Sequence, residues 1–278
     1  MGISALKLRA GIPLTMKRET FRYGMLLMIG ALPVVGQSAT DPLPEANPAR
    51  PTVSTPATLP PVGYVQFEMG MLNATISPEF STRLGINQVT KLALKPRFEL
   101  FIQTEPYVHS RNDAEKAVHP GEVFAGAQAV LVSGHDSWPT VAVSYVRRLY
   151  ESPAPELDLG TFRQSLVLLA STDLRGFHFD GNLIATEQSR GGVRRAQNAQ
   201  TLSISHPLKK ITIGGEVWHF SQPFLTSNTV GVLWEVSYQL RRNLILDVGF
   251  DRGLTNTSTH WEVFSGFTYL LPRRLWRK

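Results

Sequence analysis

Cysteine is absent from all 278 residues, which excludes a disulfide framework and any thiolate metal site. A helical membrane span is missing too: the apolar run Met25–Val35 has eleven residues, against the about 20 that such a span needs. The basic excess is also smaller than it looks. Of the formal +6, the first 36 residues contribute Lys7, Arg9, Lys17, Arg18 and Arg22 against Glu19, and removing them leaves +2. A domain so near neutrality has no basic stripe for nucleic acid, so no nucleic-acid partner is expected.

The chain opens on a basic stretch ending in Lys17-Arg18, followed by the short apolar run and then by small residues. Those three regions in that order make a secretory signal peptide, expected over residues 1–36. Val34-Val35-Gly36 suits cleavage after Gly36, with Ser38 and Ala39 as alternatives, and Met16 is an alternative start from which the signal is already complete. Seven prolines (42, 44, 48, 51, 56, 60 and 61) crowd the next stretch as far as Val62. Proline donates no amide hydrogen and favours extended polyproline geometry, so residues 37–62 are expected to form a disordered leader. Residues 63–272 form the folded domain, and 273–278 a solvated basic tail.

From Tyr64 onward the dominant period is two, the signature of strands. Val65, Phe67, Met69 and Met71 oppose Gln66, Glu68 and Gly70; Phe98, Leu100 and Ile102 oppose Glu99 and Gln103. Val123, Ala125, Ala127, Ala129 and Leu131 oppose Phe124, Gly126 and Gln128. Toward the C-terminus, Val232, Trp234, Val236 and Tyr238 oppose Glu235, Ser237 and Gln239, and Leu244, Leu246, Val248 and Phe250 oppose Asp247 and Asp251. Turn signals stand at Ser77-Pro78, Lys95-Pro96, Arg175-Gly176, Pro207–Lys210 and Leu240–Asn243, the last of them a tight connection. Long polar loops are expected at Val108–Pro120, Ser152–Gly160 and Thr186–Ala199.

Such alternation fits either a soluble sandwich or a membrane barrel. Three features favour the barrel: strands longer than the usual five or six residues, aromatics near strand ends on the apolar face (Tyr64, Tyr145, Tyr238, Trp261, Tyr269), and acids and small residues on the other face that suit a wet lumen. Lipid leaves no unpaired backbone group tolerable, so only a closed sheet can cross it with strands. The fold class expected is all-β: a transmembrane antiparallel up-and-down β-barrel of about 12 strands.

Chemistry is sparse. Seven histidines (109, 119, 135, 178, 206, 219, 260) show no pair at helical ligand spacing, so neither metal nor cofactor is expected. Gly134-His135-Asp136-Ser137 holds the side chains of a triad in consecutive positions, where they cannot adopt nucleophile–base geometry. A lipid hydrolase at the bilayer rim would need a serine beside a histidine, for example Ser144 or Ser237 with His178 or His260. More informative is the polar phase of the strands. Glu99, Asp180, Glu216, Glu235, Asp247, Asp251, Arg252 and Glu262 are candidates to line a lumen, either as a charged constriction or as a network filling a narrow barrel.

The run Leu246-Asp247-Val248-Gly249-Phe250-Asp251-Arg252-Gly253-Leu254, followed by His260-Trp261-Glu262-Val263-Phe264-Ser265-Gly266-Phe267-Thr268-Tyr269, resembles the closing hairpin of the outer-membrane proteins of the MetA-pathway of phenol degradation family. The stretches Ala199–Leu208 and Phe98-Glu99-Leu100 are similar to it too. The resemblance implies a barrel that admits aromatic or other hydrophobic small molecules. One departure is the end of the chain, where Tyr269-Leu270-Leu271 is followed by Pro272 and a basic tail instead of a terminal aromatic residue. The function expected is passive, non-enzymatic passage of small molecules through an outer membrane. The partners expected are outer-membrane lipid, a small-molecule permeant and the barrel-insertion machinery. The alternatives are a structural or adhesive barrel with a plugged lumen and the rim hydrolase.

Overall fold

The computed structural model describes residues 43–276 except 51, 113–114, 136–137, 156, 158–161 and 226. The expected signal peptide, residues 37–42 and the last two residues of the tail lie outside the described residues, as do Asp136 and Ser137.

Thirteen strands follow one another: β1 (Val65–Thr75), β2 (Thr82–Lys95), β3 (Phe98–Arg111), β4 (Lys116–His119), β5 (Val123–Val132), β6 (Thr140–Tyr150), β7 (Phe162–Leu174), β8 (Phe177–Arg190), β9 (Val193–Leu208), β10 (Ile211–Phe220), β11 (Thr229–Arg241), β12 (Leu244–Gly253) and β13 (Trp261–Leu270). Each pairs antiparallel with its neighbours, and β1 closes the circuit by pairing with both β2 and β13. β4 and β5 share one position beside β3, so the wall is a closed barrel of twelve strand positions. The interruption has a local cause. Pro106 in β3 and Pro120 between β4 and β5 lack the amide hydrogen a ladder needs. The β2–β3 register slips between Ile86↔Tyr107 and Gln88↔Thr104, and Gly121 N donates to Glu105 O at 2.6 Å to bridge the gap.

The burial pattern is that of a soluble protein turned inside out. Gln66, Glu68, Glu99, Gln128, Gln197 and Thr268 are buried, while Leu183, Trp234, Val263 and many other large apolar residues stand exposed, Leu183 at 57 % and Trp234 at 56 %. In water such an apolar belt would mark an interaction surface far larger than a monomer tolerates. Around a closed barrel an apolar belt of this kind is what a lipid-facing band requires. Of the aromatics expected at its margins, Tyr145, Tyr238 and Trp261 lie exposed on this outer face.

One rim carries the short turns Pro96-Arg97, Arg175-Gly176, Lys209-Lys210 and Arg242-Asn243, together with residues 133–139; the other carries the longer connections 76–81, 151–161, 221–228 and 254–260. Two expected loops are corrected. Thr186–Ala199 is no loop: β8 and β9 stay paired out to Arg190↔Val193, and Gly191 and Gly192 turn the chain with φ of 56° and 79°, the two-residue geometry that favours glycine. In Val108–Pro120, β3 continues to Arg111 and pairs with β4. Both stretches carry mostly polar side chains on both faces. Alternation, the signal used to find strands, vanishes there.

The Pro-rich stretch also departs from expectation. Residues 43–62 have no ladder of their own, yet their course is fixed. The segment lies against the inner wall of the barrel, where Ser54 and Ala57 are completely buried.

Candidate functional site

The segment is held chiefly by its backbone. Gln66, at the start of β1, accepts from Asn47 N at 2.9 Å and donates Nε2 to Asn47 O at 2.6 Å. Arg50 reaches Asp247 on β12 at 3.5 Å. Next, the Glu216 carboxylate on β10 accepts from Val53 N and Ser54 N, both at 2.7 Å, and from Ser54 Oγ at 2.6 Å. Asn182 on β8 pairs with both backbone groups of Thr55, at 2.7 and 2.9 Å. Ala57 N donates to Ser171 Oγ on β7 at 2.7 Å, and Gln128 on β5 donates to Pro56 O at 3.0 Å. The chain thus crosses the lumen and touches most of its wall before Gly63 N bonds Ala93 O on β2 at 2.9 Å and β1 begins.

The sequence allows this because proline removes amides that would otherwise need partners. The amides that remain meet side-chain acceptors. Small apolar contacts complete the seat: Ala46 against Ile245 and Leu270, Val53 against Ala199, Trp218 and Phe220, and Ala57 against Ala142 and Leu169.

Between the segment and the long-loop rim lies a cavity of about 470 Å³. Its floor is the segment itself (Arg50, Val53, Thr55), and Ala154 and Pro155 of the 151–161 connection lean into its mouth. Arg83 ties that connection down by donating Nε to Pro155 O at 2.9 Å. The walls of this vestibule are charged and paired: Arg83–Glu105 at 2.6 Å, Lys91–Glu68 at 2.6 Å and Arg148–Glu122 at 3.0 Å. Buried ion pairs of this kind cost desolvation, and their geometry must offset it. Glu99 is buried beside them, and its Oε2 has no hydrogen-bond partner.

Seven of the eight residues expected to line a lumen lie on the inward phase of their strands: Glu99, Asp180, Glu216, Glu235, Asp247, Asp251 and Glu262. They do not form one ring. Glu99, Asp251 and Glu262 face the vestibule, Glu216 and Asp247 hold the segment, and Asp180 accepts from Ser171 Oγ. The exception is Arg252. It sits one residue out of phase, on the outer face, with its guanidinium 4.6 Å from the Trp261 ring centroid and Nη1 donating to His260 O at 2.8 Å. Strand parity decides this, because Asp251 faces in and the next side chain must face out.

Ser171, Asp180, His178 and Asp173 do meet in a row. The order is wrong for nucleophilic catalysis, since Asp180 stands between the hydroxyl and the imidazole, 3.2 Å from His178 Nε2, and a triad needs the imidazole in that place. Sequence reading missed Gln66, Gln128, Ser171 and Asn182 as site residues. Their inward parity was visible, but their partner, the leader, was expected to lie elsewhere.

No family model matches the chain, and no curated protein matches it in sequence. Among solved structures it is similar to the KdgM porin, at 12% identity and a TM-score of 0.51, covering 74% of this chain and 98% of that one. Another similar structure, the KdgM porin in complex with disordered oligogalacturonate, gives a TM-score of 0.52 at 12% identity over the same shares. The NanC porin gives 0.50 at 8% identity, covering 74% of this chain and 100% of the other. At these identities the likeness defines the fold, that of the outer-membrane porin barrels.

Proposed function

We propose that the protein is an outer-membrane channel for passive entry of small solutes, exported by the signal peptide at residues 1–36. The observation that carries the reading is the charged vestibule inside a closed barrel with an apolar belt. A wet, ion-paired interior has no packing advantage over an apolar one, and it suits solute passage. Its lining, with Arg50, Arg83, Lys91 and Glu99, favours hydrophilic permeants over the aromatic ones suggested by the closing hairpin. Under this reading the segment 43–62 sets the narrowest point of the path.

The test is planar-bilayer recording of purified, heat-modifiable barrel beside a variant lacking residues 43–62. A large rise in unitary conductance on deletion supports a channel gated or narrowed by the segment. Two folded barrels that are both silent would overturn it. The second reading, a structural barrel with a plugged lumen, draws on the segment's contacts with the wall. It predicts a deletion variant that leaks without any solute preference.

A further inference from the structure

The segment's mode of attachment contains more than a plug. The wall reads main chain: Gln66 and Asn182 each satisfy the N–H and the C=O of one residue, as a neighbouring strand would, while Glu216 collects two consecutive amides. Such contacts are indifferent to the side chains presented, which is how extended peptides are held along open sheet edges. In this barrel the circuit of strands is closed through β1, and amide and carboxylate side chains on the inner wall take the place of an edge.

Two side chains of the segment are read as well: Ser54 Oγ donates to Glu216 at 2.6 Å and lies 2.8 Å from Thr201 Oγ1, and Arg50 has a seat of its own. Gly70 and Gly266 face each other across β1 and β13, and Asp247 pairs with Gly266 on the other side. A Cβ built on Gly70 would run into the guanidinium of Arg50, and one on Gly266 would meet first the Met69 carbonyl oxygen and then the same guanidinium. The two glycines therefore form a flat slot in which an arginine lies over backbone with its charge on Asp247. A second restriction is size, since Ala57 is completely buried between Ala142 and Leu169.

We infer that the lumen is a binding site for extended, proline-rich peptide bearing one arginine and small side chains, and that residues 43–62 are its resident, exchangeable ligand. The inference rests on the wall's placement inside a closed barrel, not on solute passage. A barrel that never conducts would still bind peptide, and one that conducts need not.

The test converts the segment from tether to ligand. A protease site is inserted between Val62 and Gly63, the full chain is folded, and the barrel is cut. Its integrity is checked by heat-modifiable migration. Fluorescent synthetic peptide of residues 43–62 is then titrated in. The expected result is that the cut segment stays with the barrel and is displaced by the synthetic peptide at one copy per barrel. An Arg50→Ala peptide should compete about tenfold less well, as expected for loss of one charge-assisted contact. The barrel variant Gly70→Ala should show the same loss with the native peptide and no further loss with the Arg50→Ala peptide. A cut segment that departs at once, with no synthetic peptide taken up, overturns the proposal. So does a segment that is never displaced, or an Arg50→Ala peptide that competes equally well.

Discussion

Replacing Glu216 by alanine should loosen the lumenal segment without disturbing the wall. The side chain accepts three hydrogen bonds from two residues, at 2.7, 2.7 and 2.6 Å, and the β10 ladder that carries it is made entirely by backbone. Hydrogen bonds to a charged group contribute about 1.5–3 kcal/mol each. Three that share one carboxylate do not add, and lumenal water can reach the freed amides, so the net loss is set at about 3 kcal/mol, or a factor of ~10² in the segment's docking equilibrium. Hydrogen exchange measures that equilibrium directly, because a local opening that exposes Val53 and Ser54 exchanges in proportion to its population. Peptides covering 53–57 should exchange ~10²-fold faster in Glu216→Ala, while peptides from β10 and β11 are unchanged. Unchanged exchange at 53–57 in a barrel that still shows heat-modifiable migration would refute the assignment of Glu216 as the principal anchor.

Deleting residues 43–62 removes Arg50 and strips Glu216 and Asp247 of their partners, so the lumen becomes more acidic. A salt gradient across the bilayer should then give a reversal potential shifted toward cation selectivity, and a shift toward anions would count against the inward placement of those acids. Leu183→Arg, halfway along β8 on the outer face, should destabilise the barrel by about 2–4 kcal/mol in lipid vesicles, measured by equilibrium unfolding in guanidinium; a neutral effect would place that face in water. Arg252→Ala, beside Trp261 on the outer face, should leave conductance and selectivity within experimental scatter, whereas Arg83→Ala should change both, because Arg83 holds Glu105 and the 151–161 connection at the mouth.

Most of the wall was legible in the chain. Period-two alternation from Val65 to Leu270 specified strands, their parity sent Glu216 and Asp247 inward and Trp234 and Val236 outward, and paired turn residues such as Arg175-Gly176 marked one rim. A closed barrel follows from strand length and from lipid's intolerance of unpaired backbone. The misreadings of the wall have two origins. Alternation reports the contrast between apolar and polar faces, so it fell silent at Thr186–Ala199, where both faces carry mostly polar side chains. At Asp251-Arg252 two adjacent charges hid the parity that sends Arg252 outward.

The lumen's contents were decided only by the folded molecule. A run of seven prolines specifies an extended chain without amide partners, and by itself that is the composition of a linker. What turned it into the floor of a vestibule is the convergence of Gln66, Gln128, Ser171, Asn182 and Glu216, which come from five strands far apart in sequence. Local pattern determines which way each of those side chains points. Only closure of the sheet brings them to face one another at hydrogen-bonding distance from a single peptide, because that distance is set by barrel circumference and register, not by neighbours along the chain.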